Sequence, residues 1–154
     1  MKILDFLNDK AVSANLTAGD KKGVIRELIE LLMSGSGAKD RESMVKALLE
    51  RESLGSTGIG QSIAIPHAKS DKVRKLIGAI GISKKGVDFD ALDGEQVYIF
   101  FLLLAPMDSA GPHLKALARI SRLLRNKYFR DSLKNAPDEE SLLKIIKQED
   151  EARD

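Results

Sequence analysis

Residues 51–67, Arg51-Glu52-Ser53-Leu54-Gly55-Ser56-Thr57-Gly58-Ile59-Gly60-Gln61-Ser62-Ile63-Ala64-Ile65-Pro66-His67, pass from a helical pattern through a glycine loop and a short apolar run to a histidine. The order is helix, loop, strand, histidine. Glycines at 55, 58 and 60 let the backbone take positive φ and approach other groups closely, and the exposed N–H groups of such turns favour anions. Ser56 and Thr57 add hydroxyl donors. Pro66 keeps Ile65 extended and stiffens the mount of His67. Packing alone does not explain this stretch, so it is taken as the active centre.

Upstream, Asp40 opens a helix with Glu42 in its first turn and Met44, Val45, Leu48 and Leu49 as its buried stripe. Gly55 sits where its C-terminal cap belongs. Arg51, in the last turn, points towards the loop; it either complements the helix dipole or serves the site. An earlier helix carries Val24, Ile25, Leu28, Leu31 and Leu32 on one face. Thr17 and Asp20 resemble its capping box, and Ser34-Gly35-Ser36-Gly37 ends it.

Downstream, the period changes. Leu76 to Ile82, with Gly78 and Gly81, reads as a buried strand approached closely by other backbone. Lys84-Lys85-Gly86 reads as a turn into Val87-Asp88-Phe89, and Asp93-Gly94 as a second turn. The β-branched and aromatic run from Val97 to Leu104 predicts a central strand covered on both faces, ended by Pro106. Asp108-Ser109 then caps a helix with Pro112 in its first turn and Leu114, Leu117, Ala118, Ser121 and Leu124 facing inward. Lys115, Arg119 and Arg122 occupy its other side, as a solvated face or a docking surface. Tyr128 to Leu133 predicts a short helix. Pro137 with Asp138, Glu139 and Glu140 opens a last one through Leu142, Leu143, Ile145 and Ile146. The charged tail, from about Gln148 to Asp154, is expected to fray. Helices and strands interleave without a strict βαβ repeat, which predicts an α/β fold: a mixed β-sheet with α-helices packed on both faces, in one domain over 1–154.

The 154 residues suffice for a real core. A formal charge of +2, with 31% charged and 5% aromatic residues, lacks the basic excess of a nucleic-acid binder. The chain has no cysteine, which excludes disulfides, thiolate chemistry and the usual structural zinc sites. Met1 to Lys10 has the wrong pattern for a secretory signal, and the longest apolar run, Val97 to Ala105, falls far short of the roughly 20 residues of a membrane span. A cytoplasmic location is expected.

Gly55 to Gly60 has the spacing of a Walker A loop, but Gln61-Ser62 stands where that motif needs Lys and then Ser or Thr. A P-loop also joins strand to helix, the reverse of the order here. Ser56 and Ser62 lack a nucleophile elbow, and no His-x-x-His spacing supports zinc. The two histidines, His67 and His113, each follow a proline at the edge of a predicted element. His113 would lie in the first turn of its helix, where free N–H groups and the dipole attract phosphate and lower an imidazole's pKa. If the two meet, a neutral imidazole sits beside an electropositive pocket suited to attack on a phosphoryl group.

Residues 51–67, Val87-Asp88-Phe89-Asp90-Ala91-Leu92-Asp93-Gly94 and His113-Leu114 at a helix start together resemble enzyme IIA of the fructose/mannitol type. That family belongs to the bacterial phosphoenolpyruvate-dependent sugar phosphotransferase system and includes a freestanding nitrogen-regulatory branch. The resemblance covers nearly the whole chain. It implies that His67 accepts a phosphoryl group from HPr and passes it to a IIB protein or domain. It further implies that His113 is the second active-site histidine and Arg51 the arginine of the site. The implied phosphate-binding loop comprises Gly55, Ser56, Thr57, Gly58 and Gly60. No metal or other cofactor is implied, and the membrane is met only indirectly, through a sugar permease. Ser62 and Ala68 stand where glycine is frequent in the family, and Gly111-Pro112 precedes His113. A regulatory switch with protein targets and no sugar acceptor is the alternative reading, and an anion sensor that is never phosphorylated is a third.

Overall fold

The apolar run Val97–Ala105 forms β6, the strand on which the sheet is built, with every residue but Tyr98 buried. A computed structural model describes residues 1–153 as a mixed six-stranded sheet with five α-helices. On one side β6 pairs antiparallel with β5 (Ile77–Val87), Ile77 opposite Leu104 and Ile82 opposite Ile99. The register slips between Ile82 and Val87. Lys84-Lys85-Gly86, expected as a turn, is therefore a bulged continuation of the strand. Gly86 at φ 85° absorbs the irregularity, and its N–H donates to Ser83 Oγ at 3.1 Å.

On its other side β6 pairs in parallel with β3 (Ile63–Ala64) and β4 (His67–Lys69). Ile63 lies opposite Ile99 and His67 opposite Leu103, so one register runs through both pieces. Pro66 interrupts the pairing without shifting it, and its carbonyl still accepts Leu103 N–H at 2.9 Å. β2 (Gly58–Gly60) folds back antiparallel on β3 through Gln61 and Ser62, both at positive φ (57° and 67°). This is the backbone of a two-residue hairpin turn built without glycine.

The far edge is β1 (Leu7–Ser13), parallel to β5. Sequence reading assigns no element there, because three successive exposed residues, Asn8, Asp9 and Lys10, break the alternation.

The helices are α1 (Lys21–Ser36), α2 (Arg41–Ser53), α3 (Ala110–Leu123), α4 (Lys127–Lys134) and α5 (Glu139–Ala152). On one face of the sheet, Ile80 and Phe101 meet Ile120 and Leu123 of α3, Leu133 of α4 and Ile146 of α5 around one small void. On the other, Phe100 meets Phe89 edge-on at 5.3 Å, and Lys21 at the start of α1 lies 4.7 Å from the Phe89 ring centre. The mixed sheet thus carries helices on both faces. Asp40 and Asp138 cap α2 and α5 as expected, accepting Ser43 N–H and Ser141 N–H. At α1 the cap is Asp20, bonded to Gly23 N–H at 2.7 Å. Thr17 instead donates its N–H to the Glu27 carboxylate, which folds back from the second turn.

Helix α3 departs furthest from expectation. Its buried face is His113, Ala116, Arg119, Ile120 and Leu123, while Leu114 is 68% exposed. The helix is turned by about one residue from the orientation its leucines suggest, because Arg119 is drawn inward. Arg119 is 4% exposed, not on a solvated or docking face, and its Nη2 donates to Asp150 Oδ1 at 2.8 Å and to the carbonyls of Asp150 and Arg153. Asp150, 2% exposed, also accepts Ile3 N–H at 3.0 Å and Leu4 N–H at 3.2 Å. Lys2 Nζ reaches the carbonyls of Asp150 and Arg153 at 2.7 and 3.0 Å. The segment expected to fray from Gln148 is helical to Ala152 for this reason; Asp154 lies outside the described residues. Among the described residues no helix is long and apolar enough to cross a membrane.

Candidate functional site

His67 opens β4 and is half-buried; His113 lies in the first turn of α3 and is 8% exposed. The strand and the helix bring the two rings together edge-on, with centroids 5.5 Å apart and planes at 76°. His67 Nδ1 lies 2.6 Å from the Ile65 carbonyl oxygen. A carbonyl only accepts, so Nδ1 carries the proton and Nε2 of the neutral ring keeps its lone pair.

Burial is the main force holding the His67 pKa below its ordinary range. The Ile65 hydrogen bond opposes it, the Arg51 guanidinium adds to it, and the Glu52 carboxylate opposes it again. His113 is lowered too, chiefly by burial, then by His67 and Lys69. Both imidazoles are therefore neutral at pH 7. His113 Nε2 is buried without a hydrogen-bond partner.

Arg51, in the last turn of α2, donates from Nη1 to the Gly55 carbonyl at 2.9 Å. It closes the helix onto the loop while its charge acts on His67. The hydroxyls of Ser56 and Thr57, expected as donors to phosphate, are turned inward. Ser56 Oγ donates to the Phe89 carbonyl at 2.6 Å and accepts Gly58 N–H at 3.0 Å. Thr57 donates both its N–H and its hydroxyl to Glu52.

Glu52 is the site residue that sequence reasoning missed. Its carboxylate is buried (7% exposed) and also pairs with Lys21 Nζ at 3.1 Å, which reaches on to Asp90 at 3.3 Å. The available signal was electrostatic: an acid in the last turn of a helix opposes the dipole, so something else must hold it there. Among the described residues no group of three or more His, Asp or Glu side chains is placed to hold a metal ion.

The family model described as "Phosphoenolpyruvate-dependent sugar phosphotransferase system, EIIA 2" matches residues 5–149, which include both histidines, Arg51 and the loop. The chain belongs to this family. Among relatives of this EIIA chain, the fructose-specific EIIABC component of Bacillus subtilis is 39% identical over 150 residues, 97% of this chain and 24% of that protein. A nitrogen regulatory protein of Bradyrhizobium diazoefficiens is 36% identical over 146 residues, 95% of each chain. The chain thus spans about a quarter of the first relative and nearly all of the second. The crystal structure of the nitrogen regulatory protein IIA-Ntr from Neisseria meningitidis superposes with a TM-score of 0.83 at 32% identity, covering 92% of this chain and 97% of that one. The EIIA family supports phosphoryl transfer in general, and its members include both fructose-specific and nitrogen-regulatory proteins.

Proposed function

We propose that His67 accepts a phosphoryl group from phosphorylated HPr and passes it to a IIB protein or domain in fructose/mannitol-type sugar uptake. The observation that carries this reading is the hydrogen bond between His67 Nδ1 and the Ile65 carbonyl, which leaves Nε2 unprotonated beside a second imidazole.

In the transfer, the Nε2 lone pair forms a new P–N bond as the donor's P–N bond breaks, and the donor imidazole leaves with that electron pair. The proton stays on Nδ1, hydrogen-bonded to the Ile65 carbonyl. The phosphorylated ring is then an imidazolium, a good leaving group for the next transfer. Phosphoryl transfer is mostly positioning and charge stabilisation, so the remaining residues hold oxygens. His113 offers an N–H at a helix N-terminus and Arg51 a guanidinium. Gly55, Ser56, Thr57, Gly58 and Gly60 shape the wall; with both hydroxyls engaged inward, His113 and Arg51 carry the larger share of oxygen binding.

Intact-mass analysis after incubation with phosphoenolpyruvate, enzyme I and HPr, under mildly alkaline conditions, tests the assignment. One acid-labile phosphoryl group on the wild type and none on His67→Ala is the expected result. An adduct on the variant overturns the residue. No adduct on either, with active partners confirmed on a control, leaves an anion-binding pocket.

The near full-length similarity to nitrogen regulatory proteins supports a second reading, in which phosphorylated His67 switches contact with a regulatory protein and no sugar acceptor follows. Rapid loss of the phosphoryl group to a fructose-type IIB favours uptake; an adduct that persists beside IIB favours the switch.

A further inference from the structure

The carbonyl that holds the His67 proton is itself held. Ile65 donates its N–H to the Thr57 carbonyl at 3.0 Å, and Thr57 donates its N–H to both oxygens of Glu52 at 3.2 Å and its hydroxyl to the same carboxylate. Three hydrogen-bonded steps thus join a buried carboxylate to Nδ1 of His67 across the glycine loop. Peptide units are not conjugated across Cα, so the coupling is one of position. A shift of Thr57 moves Ile65, and a shift of Ile65 moves the acceptor bonded to the ring. Pro66 adds to this by removing the N–H through which the strand could anchor at that point.

We propose that Glu52 is a positioning residue for His67: acting through Thr57 and Ile65, it fixes the Nδ1–H tautomer that leaves Nε2 free to take the phosphoryl group. The proposal rests on the phosphoryl-carrier reading for its consequence, though not for its geometry. Lys21 has the complementary part, since its ammonium pairs with the carboxylate at 3.1 Å and adds a third donor to the two that Thr57 supplies. Arg51, Glu52 and His113 are the charged or titratable groups acting on or facing the His67 ring.

The test uses Glu52→Gln and, because that change takes from Lys21 the buried one of its two carboxylate partners, the double variant Lys21→Met with Glu52→Gln, which removes the cation as well. Nitrogen-15 NMR of the histidines reads tautomer and pKa directly, and initial rates with phospho-HPr read transfer. The expected result is a predominantly Nδ1–H ring in the wild type and a mixture of tautomers in both variants. The His67 pKa falls further once the carboxylate charge is gone. The maximal rate is at least about tenfold slower, with little change in KM for HPr, because a wrong tautomer presents a protonated nitrogen. A folded double variant with wild-type tautomer and rate overturns the proposal. If wild-type His67 is never phosphorylated, the carrier reading falls, and the tautomer measurement still decides the part of Glu52.

Discussion

A neutral imidazole offers one lone pair, and the proton on its other nitrogen decides which atom attacks. Replacing His113 with Asn removes the ring that faces His67, and the shorter amide withdraws its donor from where the ring N–H would meet a phosphoryl oxygen. Loss of one preorganised donor to an oxyanion typically costs about 10²–10³ in rate. The His113→Asn protein should therefore still be labelled by phospho-HPr, more slowly by that order; an unchanged rate would remove His113 from the mechanism. The lowered pKa values carry a second consequence. Between about pH 6.5 and the lower native values, the unfolded chain takes up protons that the folded chain refuses. The stability contributed by these two histidines is full above about pH 6.5, declines as pH falls through the native values and changes no further below them. Urea midpoints at pH 7.5 and 5.5 should show this decline in the wild type and a smaller one in a His67→Asn, His113→Asn double variant. At Ser62, φ is 67° in a non-glycine residue of a hairpin turn. Ser62→Gly should stabilise the fold by about 1 kcal/mol, read as a raised urea midpoint. Residue type and motif position single out His67, His113 and Arg51, and the structure brings the two rings within 5.5 Å with the Arg51 charge acting on His67. Glu52 was not legible, since a glutamate beside an arginine on a charged helix looks like surface until the loop covers it.

At the scale of elements, long apolar runs and capping residues were the readable part. β6, the core of β5, α2, α4 and the start of α5 follow from them. What the sequence concealed was each place where a distant partner overrides local pattern. β1 looks polar because its partner β5 supplies the pairing that its own alternation does not advertise. The strand bearing His67 survives a proline because β6 keeps the register on both sides of it. Helix α3 turned inward on an arginine, and no periodicity reveals that its counter-charge stands on α5. Removing one member of such a buried pair leaves the other uncompensated, at a cost of about 3–5 kcal/mol. Asp150→Ala should lower the urea midpoint accordingly and leave the N–H groups of Ile3 and Leu4 without their acceptor. Arg119→Met with Asp150→Leu should recover most of the loss. If Asp150→Ala is neutral, the clasp is decorative.

For the whole molecule, the predicted architecture and the observed one agree, and one sheet with helices on both faces places the histidine pair where β4 meets the start of α3. The clasp built on Asp150 has a topological meaning. With Lys2 reaching the Arg153 carbonyl at 3.0 Å, residues 2 and 153 are neighbours in space. A circular permutant that joins the two ends by a short glycine-serine linker and is cut beside Gly94, in an exposed turn, should fold to the same sheet. It should also retain the phosphoryl chemistry, because cut and join both lie outside β4 and α3.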